Sequence, residues 1–180
     1  FNVMSREQVG MYAVYISTHG NMPDLFRNNP YAGELKDPLL YDVPEEYKEA
    51  DSKFAAMLEE AEKYLGYPYV WGGSDPSTSF DCSGFVSWVL VNSGVKDVGR
   101  LGATSLYGAL TPVREDEARP GDIIFFEGTL GDGVEGNDGI THCGIYVGDG
   151  MMIHCGSPIS YADLSRSYWQ EHFYGYARAY

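Results

Sequence analysis

The spacing of apolar residues changes once along this 180-residue chain, and that change limits the possible folds more than any other feature. Residues 54–65 repeat at helical spacing, with acidic residues on the opposite face, and Gly66 follows as a stop signal. A second apolar run predicts a helix from about residue 82 to 92, with Gly94 at the usual place for a left-handed cap. The first half of the apolar pattern is therefore helical.

Beyond these helices the apolar period becomes two. Glycine-rich turns separate three strand-like segments, "PGDIIFFEG", "THCGIYVGDGMMIHCGS" and "YGYARAY". A long surface loop, "LGDGVEGNDG", is expected between the first two. Helices first and strands afterwards indicate an α+β domain with an antiparallel sheet.

The first 50 residues differ from the rest. They mix a short apolar alternation with turn-rich polar residues and prolines, which predicts an arm or linker over 1–50 and one domain over 51–180. The opening "FNVMSREQVG" lacks the order of a signal peptide and begins with Phe. We therefore expect a mature form or a part of a longer protein, with any export signal or anchor upstream.

Charge limits the partners. The formal net charge is −14, which argues against nucleic-acid binding, because that class relies on clustered Lys and Arg. Anionic membranes are disfavoured for the same reason, and no apolar run approaches the roughly 20 residues that span a bilayer. We expect that this part of the protein makes no contact with a membrane and that it is a monomer.

Cys82 occupies an unusual position among the three cysteines, which cannot all pair within one molecule. It lies where a polar loop gives way to the second helix, so helix N–H groups and the helix dipole favour its thiolate, the nucleophilic form. The alternative is a small buried hydrophobic residue. Asp81 and Ser83 would be poor neighbours in a sealed core and favour the nucleophile, although Asp81 is also a good N-cap.

A nucleophilic thiol needs a base, and two of the four histidines lie in one hairpin. A two-residue turn at 149–150 would pair residue 145 with His154 and separate the histidines. A three-residue loop at 148–150 would pair residue 144 with His154 and place His142 diagonally beside it, at about 7–8 Å along the backbone. One imidazole could then orient the other.

Other roles for the remaining candidates are less favourable. A zinc site would need His-Cys dipeptides on strands to supply two ligands each, but neighbouring strand residues point to opposite faces. We therefore expect neither a metal nor another cofactor, and we interpret Cys143 and Cys155 as core residues. His19 and His172 have no partner visible in the sequence, so surface or packing roles are expected for both.

Four motifs in order, "PYVWGG", "FDCSGFVSWVL", "RPGDIIFF" and "HCGIYVGDGMMIHCG", resemble the NlpC-type family of bacterial cell-wall cysteine peptidases. The resemblance covers residues 52–180 and implies a compact papain-like fold. It also implies that Cys82 is the nucleophile, His142 the general base and His154 the orienting residue, in agreement with the hairpin argument. Cysteines 143 and 155 stand where relatives often have Val or Ala.

The resemblance further implies hydrolysis of peptidoglycan stem peptides between D-γ-glutamate and a diamino acid. Asp81 would then pair with the free amino group of the substrate and Ser83 would hydrogen-bond near it. Tyr69 would place its hydroxyl close to the oxyanion, and Trp71 would form a wall of the cleft. For both aromatic residues simple packing is the alternative.

Two other interpretations keep the same fold: a peptidoglycan amidase or lipid acyltransferase, and a non-catalytic wall-binding module. An altered Cys-His-His set would favour the module, and no such alteration is present. The segment "MYAVYISTHGNMPDLF" is similar to the one preceding the peptidase domain in cell-wall hydrolases of conjugative elements, where a glycan-cleaving domain can lie upstream. This second resemblance implies an extracytoplasmic, secreted or wall-associated protein, with a membrane anchor as one form.

Overall fold

The structure is a computed structural model, and it describes residues 41–130 and 139–180. The predicted arm lies largely outside these residues, as does most of the predicted surface loop. Of the arm's last ten residues, Val43 is buried in the core and 45–50 are helical. The predicted boundary at residue 50 stays a prediction.

Five α-helices occur within the described ranges. An extended Asp51 separates the first two, and its carboxylate accepts hydrogen bonds from Lys53 N and Phe54 N at 3.0 and 3.2 Å. None of these helices is long and apolar enough to cross a membrane. The helices are α1 (Glu45–Ala50), α2 (Ser52–Glu62), α3 (Cys82–Asn92), α4 (Ala103–Ala109) and α5 (Ser167–His172).

The predicted bounds of α3 are confirmed, since it ends at Asn92 and Gly94 has a φ of 72°. The earlier predicted helix is shorter than its apolar pattern, because α2 ends at Glu62 and Leu65 lies in the following turn. That turn continues into Gly66, whose φ of 85° fits its predicted role as a stop.

Eight strands form the sheets of the described part. A small pair, β1 and β2, precedes α3, and a six-stranded antiparallel sheet has the order β3-β8-β4-β5-β6-β7. The predicted α+β class is confirmed. The strands are β1 (Ser74–Asp75), β2 (Ser79–Phe80), β3 (Thr111–Val113), β4 (Ile123–Glu127), β5 (Ile140–Gly148), β6 (Met151–Cys155), β7 (Ile159–Asp163) and β8 (Phe173–Arg178).

The large sheet buries both faces. Along β4, Ile123 and Phe125 belong to the larger apolar cluster, which includes residues of α2, α3 and α4. Ile124 and Phe126 belong to a smaller cluster on the other face, against which Trp169 of α5 packs. Successive side chains of β4 thus pack on opposite faces of the sheet, because side chains alternate along a strand.

The two edge strands of the large sheet are protected in different ways. β3 has three residues, and its central residue is Pro112. β7 lies at the other edge, where Ile159 N donates to Tyr67 O at 2.8 Å and Gly66 N donates to Ile159 O at 2.9 Å. The segment after α2 therefore covers the start of β7.

Candidate active site

Cys82 is the first residue of α3 because Asp81 ends the preceding extended segment. Asp81 has φ −93° and ψ 179°, and its Oδ1 accepts a hydrogen bond from Gly84 N at 2.7 Å. This is an N-cap, which satisfies one free donor of the first helical turn. The thiol is consequently held at the positive end of the helix, with only 5% of the Cys82 surface exposed.

The segment containing Tyr69 is fixed against this helix start. Val70 N donates to Phe80 O at 2.8 Å, and Asp81 N donates to Gly73 O at 3.0 Å. Tyr69 lies beside Cys82, and burial, together with the negative charge of that sulfur, raises the Tyr69 pKa. Tyr69 therefore stays a protonated hydroxyl beside the nucleophile.

The β5–β6 hairpin has the register in which Gly144 pairs with His154, as one of the two loop alternatives predicted. The connection itself differs from that expectation. Gly148 pairs with Met151 around a two-residue turn, and a bulge between Tyr146 and Gly148 supplies the extra residue. Residues 149 and 150 both have positive φ, 51° and 69°, as a type I′ turn requires. The bulge thus produces the same register as a three-residue loop, with Gly144 opposite His154.

A second irregularity lies directly before His142. β4 pairs Phe126 with His142 but Glu127 with Ile140, so Thr141 is an extra residue in β5. Such a β-bulge bends the strand and redirects the neighbouring side chains. The Thr141 carbonyl oxygen lies 3.8 Å from Cys82 Sγ. The bulge therefore brings this end of β5 next to the thiol.

The two histidines are in direct contact. His142 Nε2 lies 2.8 Å from His154 Nδ1, which confirms that they share a face of the sheet. Burial, followed by the nearby His142, lowers the His154 pKa well below 6.5, so His154 is neutral. A neutral His154 with its proton on Nε2 accepts at Nδ1 from His142 Nε2–H. His142 Nδ1 is then the ring nitrogen that can exchange a proton with Cys82.

The neighbours of Cys82 lower its pKa and so favour the thiolate. A hydrogen bond from the Cys143 thiol lowers the Cys82 pKa most, burial opposes this, and His142 lowers the pKa further through its hydrogen bond and its charge. Burial and the Cys82 charge raise the Cys143 pKa, so Cys143 keeps its proton.

Cys143 and Cys155 both belong to the larger apolar cluster, as expected for core residues. Cys143 nevertheless also contacts the nucleophile, a contact that its apolar strand pattern did not predict. Cys155 Sγ donates instead to Phe80 O at 3.2 Å. Among residues 41–130 and 139–180, no group of three or more His, Cys, Asp or Glu side chains is arranged to hold a metal ion.

Asp81 and Ser83 have several partners at the mouth of the site. Besides Gly84 N, Asp81 accepts from Ser83 Oγ at 3.1 Å, Gly72 N at 3.1 Å and Arg100 at 2.5 Å. Arg100 also donates to Ser83 Oγ at 3.1 Å. These contacts give Asp81 the capping role considered as an alternative, and its role in holding a substrate amino group stays a prediction.

The remaining candidates lie farther from the thiol or outside the described residues. Trp71 is 75% exposed, so it does not pack into the core. His172 Nδ1 contacts the Glu127 carbonyl oxygen at 2.8 Å and its ring contacts Tyr168, which is a packing role. His19 lies in the undescribed part of the chain.

The sequence interpretation missed two residues of the site. Arg100 stands in a polar loop 19 residues from Asp81, and no spacing rule joins the two. Trp169 contacts both His142 and His154, with ring centroids 5.7 and 5.1 Å apart. An aromatic residue in the segment "SYWQEH" gave no signal for this contact, because it depends on where α5 crosses the sheet.

The fold and this Cys-His-His arrangement define the class of protein. Residues 66–178 match the model of the NlpC/P60 family, so the chain belongs to that family. Among curated relatives, it is 44% identical over 126 residues to the bifunctional muramidase/DL-endopeptidase CwlT of Bacillus subtilis, which covers 69% of this chain and 36% of that protein. It is 41% identical over 123 residues to the probable endopeptidase p60 of Listeria seeligeri, covering 68% and 21% respectively.

A solved structure of an NLP/P60 family protein from Staphylococcus aureus, described as similar to lipoprotein, has a TM-score of 0.65 and 30% identity. That match covers 98% of this chain and 62% of the other. The similarity to CwlT supports the branch that the arm segment resembled. The chain spans about a third or less of the length of these two curated relatives.

Proposed function

We propose that this chain is a cysteine endopeptidase that hydrolyses peptidoglycan stem peptides at the bond between D-γ-glutamate and a diamino acid. One observation carries the proposal. His142 is one of the neighbours that lower the Cys82 pKa, and it is in turn held by His154 at 2.8 Å. A nucleophile, a base and a group that orients the base are the parts that acyl transfer through a thiol needs.

The reaction runs in two halves. The Cys82 thiolate attacks the carbonyl carbon, and the resulting tetrahedral oxyanion collapses as the protonated His142 gives its Nδ1 proton to the leaving amine. This step leaves a thioester and a neutral His142. Water then attacks the thioester while His142 takes one water proton, and collapse restores the thiolate with the imidazolium. The acid product that leaves gives its remaining proton to solvent and becomes the carboxylate.

Tyr69 and the backbone of Cys82 supply the oxyanion donors in this proposal. The Tyr69 hydroxyl stays protonated and lies at the sulfur, so it can donate to an oxygen that develops on the attacked carbon. The Cys82 N–H at the start of α3 provides a second donor. Trp71, exposed beside Gly72, forms the wall along which the peptide lies.

The choice of bond rests on two supports. The relative CwlT carries the name DL-endopeptidase, and the motifs around Cys82 and His142 resemble those of cell-wall peptidases. Action on the wall places the protein outside the cytoplasmic membrane, in agreement with a wall hydrolase among its relatives. CwlT is named as a bifunctional muramidase/DL-endopeptidase. By analogy, this chain would be the endopeptidase part of a longer protein that also has a muramidase part.

Mass spectrometry of the products tests the proposal. Wild-type protein and the Cys82→Ala variant are incubated separately with purified muropeptides that carry defined stems. We expect wild type alone to release L-Ala-γ-D-Glu, while the folded variant leaves the stems intact. Cleavage at another bond would contradict the specificity, and cleavage by Cys82→Ala would contradict the nucleophile.

A further inference from the structure

Trp169 contacts three aromatic rings on the outer face of the sheet. Its indole stacks on His142 with an interplanar angle of 27° and meets His154 nearly at right angles, at 85°. Phe126 packs against the same indole with centroids 4.7 Å apart. The His142 ring is therefore bounded on this side by an aromatic face and by the edge-on partner His154.

The short helix α5 is fixed in place by contacts at both ends. Gln170 Nε2 donates to Leu164 O at 2.6 Å, and His172 contacts the Glu127 carbonyl oxygen at the end of β4. Trp169 directly precedes these two anchor residues and packs against the smaller apolar cluster. Its position over His142 is thus set by contacts within the fold.

An imidazole held only by two hydrogen bonds can still tilt about its Cβ–Cγ bond. A stacked ring restricts that rotation, and aromatic pairs are favourable at the separation seen here. The stacking therefore favours one orientation of the His142 ring.

We propose that Trp169 is a positioning residue that holds the His142 ring with one nitrogen toward Cys82 and the other toward His154. This inference rests on the proposed function, because it assumes that His142 pairs with the nucleophile. Among the described residues, the titratable groups facing His142 are Cys82 from α3 and His154 from β6, whereas Phe126 from β4 and Trp169 from α5 carry no charge.

The test measures the alkylation rate of Cys82 by iodoacetamide between pH 5 and 9, with mass spectrometry to identify the modified residue. No substrate is needed. Wild type is compared with Trp169→Leu, which removes the ring, and with Trp169→Phe, which keeps a smaller stacked ring. Tyr168→Leu is the matched control, because Tyr168 is an exposed neighbour in α5 that contacts Trp169 and His172.

In wild type we expect rapid alkylation at pH 5–6, where a thiol without a paired imidazolium is protonated. Trp169→Leu should lower that rate about tenfold and approach the wild-type rate at pH 9, whereas Trp169→Phe should stay within about threefold. Tyr168→Leu should match wild type. Thermal melting checks the fold, and if Trp169→Leu does not fold, a partial loss confined to low pH in Trp169→Phe carries the test.

Three results would overturn the inference: a wild-type profile in Trp169→Leu, an equal loss at every pH, or the same loss in Tyr168→Leu. If Trp169→Leu does not fold, a Trp169→Phe profile equal to that of wild type would also overturn the inference. Failure of the proposed function would look different. In that case wild type itself would lack rapid alkylation at low pH, or would show it without cleaving any stem peptide.

Discussion

Cys82 and Cys143 are both buried thiols, yet their neighbours drive their ionisation in opposite directions. Cys143 has an apolar surrounding and donates to Cys82, so its proton is retained. The Cys143 thiol and His142 instead lower the Cys82 pKa, so the thiolate is favoured at Cys82. The second thiol is therefore a partner of the nucleophile and a core residue at the same time.

Cys143→Ala should retain turnover but need a higher pH. Removing the donated hydrogen bond raises the Cys82 pKa, so the thiolate fraction falls at pH 5–6 and recovers toward pH 8. Rates of stem-peptide cleavage across this range provide the measurement. Cys155→Ala is the control, because Cys155 donates to Phe80 O. Equal profiles for wild type and Cys143→Ala would show that the contact does not influence the nucleophile.

Tyr69→Phe should lower kcat about 100-fold and leave KM nearly unchanged. The expected size is that of removing one preorganised oxyanion donor, since the substitution deletes the hydroxyl and keeps the ring. Steady-state kinetics on a defined muropeptide separates the two constants. A change in KM alone would instead assign Tyr69 to substrate binding.

Single residues of the site could be predicted from the sequence only where a local rule applied. Cys82 was identified by its place at a helix start, and the contact between His142 and His154 by counting residues across one hairpin. Arg100 and Trp169 could not be found in this way. Their contacts join segments that are distant in sequence, and the fold alone sets those distances.

At the scale of elements, the start of α3 depends on a very close approach of two backbones. A Cβ added at Gly84 would lie 2.1 Å from the Gly73 carbonyl oxygen and 3.1 Å from Asp81 Oδ1. Glycine is therefore required where the loop carrying Tyr69 and Trp71 crosses the helix. The same contact fixes the height of this loop above the thiol.

Gly84→Ala should destabilise the protein by about 3 kcal/mol, the upper part of the range for forcing extra atoms into a packed region. Gly108→Ala in α4 is the matched control, because a Cβ there would meet nothing within 4 Å. The control should be neutral or stabilising by up to about 1 kcal/mol. Urea denaturation of both variants measures the difference, and equal stabilities would contradict the close approach.

The elements that the sequence predicted are those with a strong period. α3 and β4 carry long apolar patterns, and both were placed correctly. α4 buries only Leu106, so no helical period was visible, and β3 is a three-residue strand interrupted by Pro112. β7 follows β6 after a short turn and was hidden at the end of the hairpin motif.

At the scale of the whole molecule, stability should fall as the pH drops below about 6.5. Burial depresses the His154 pKa in the folded state, so below the ordinary value of 6.5 the unfolded chain takes up a proton that the native protein does not bind. The loss approaches about 1.4 kcal/mol per pH unit for this one proton. Stability is therefore present above pH 6.5 and decreases toward the folded-state pKa.

Urea denaturation of wild type and His154→Gln at pH 7.5, 6.5 and 5.5 checks this expectation. The variant cannot take up the proton, so its free energy of unfolding should depend less on pH over this interval. Identical slopes would mean that other groups dominate the acid response. The absolute stability of the variant does not enter the comparison, because only the slopes are used.

The two protected edges of the large sheet affect how the molecule behaves in a crowded environment. An open strand edge offers unpaired N–H and C=O groups to any extended chain, including another copy of the same protein. Here Pro112 removes a donor from one short edge, and Gly66 and Tyr67 bond the backbone groups of Ile159 at the other. The backbone itself therefore limits strand-mediated aggregation, in addition to the repulsion that a net charge of −14 provides.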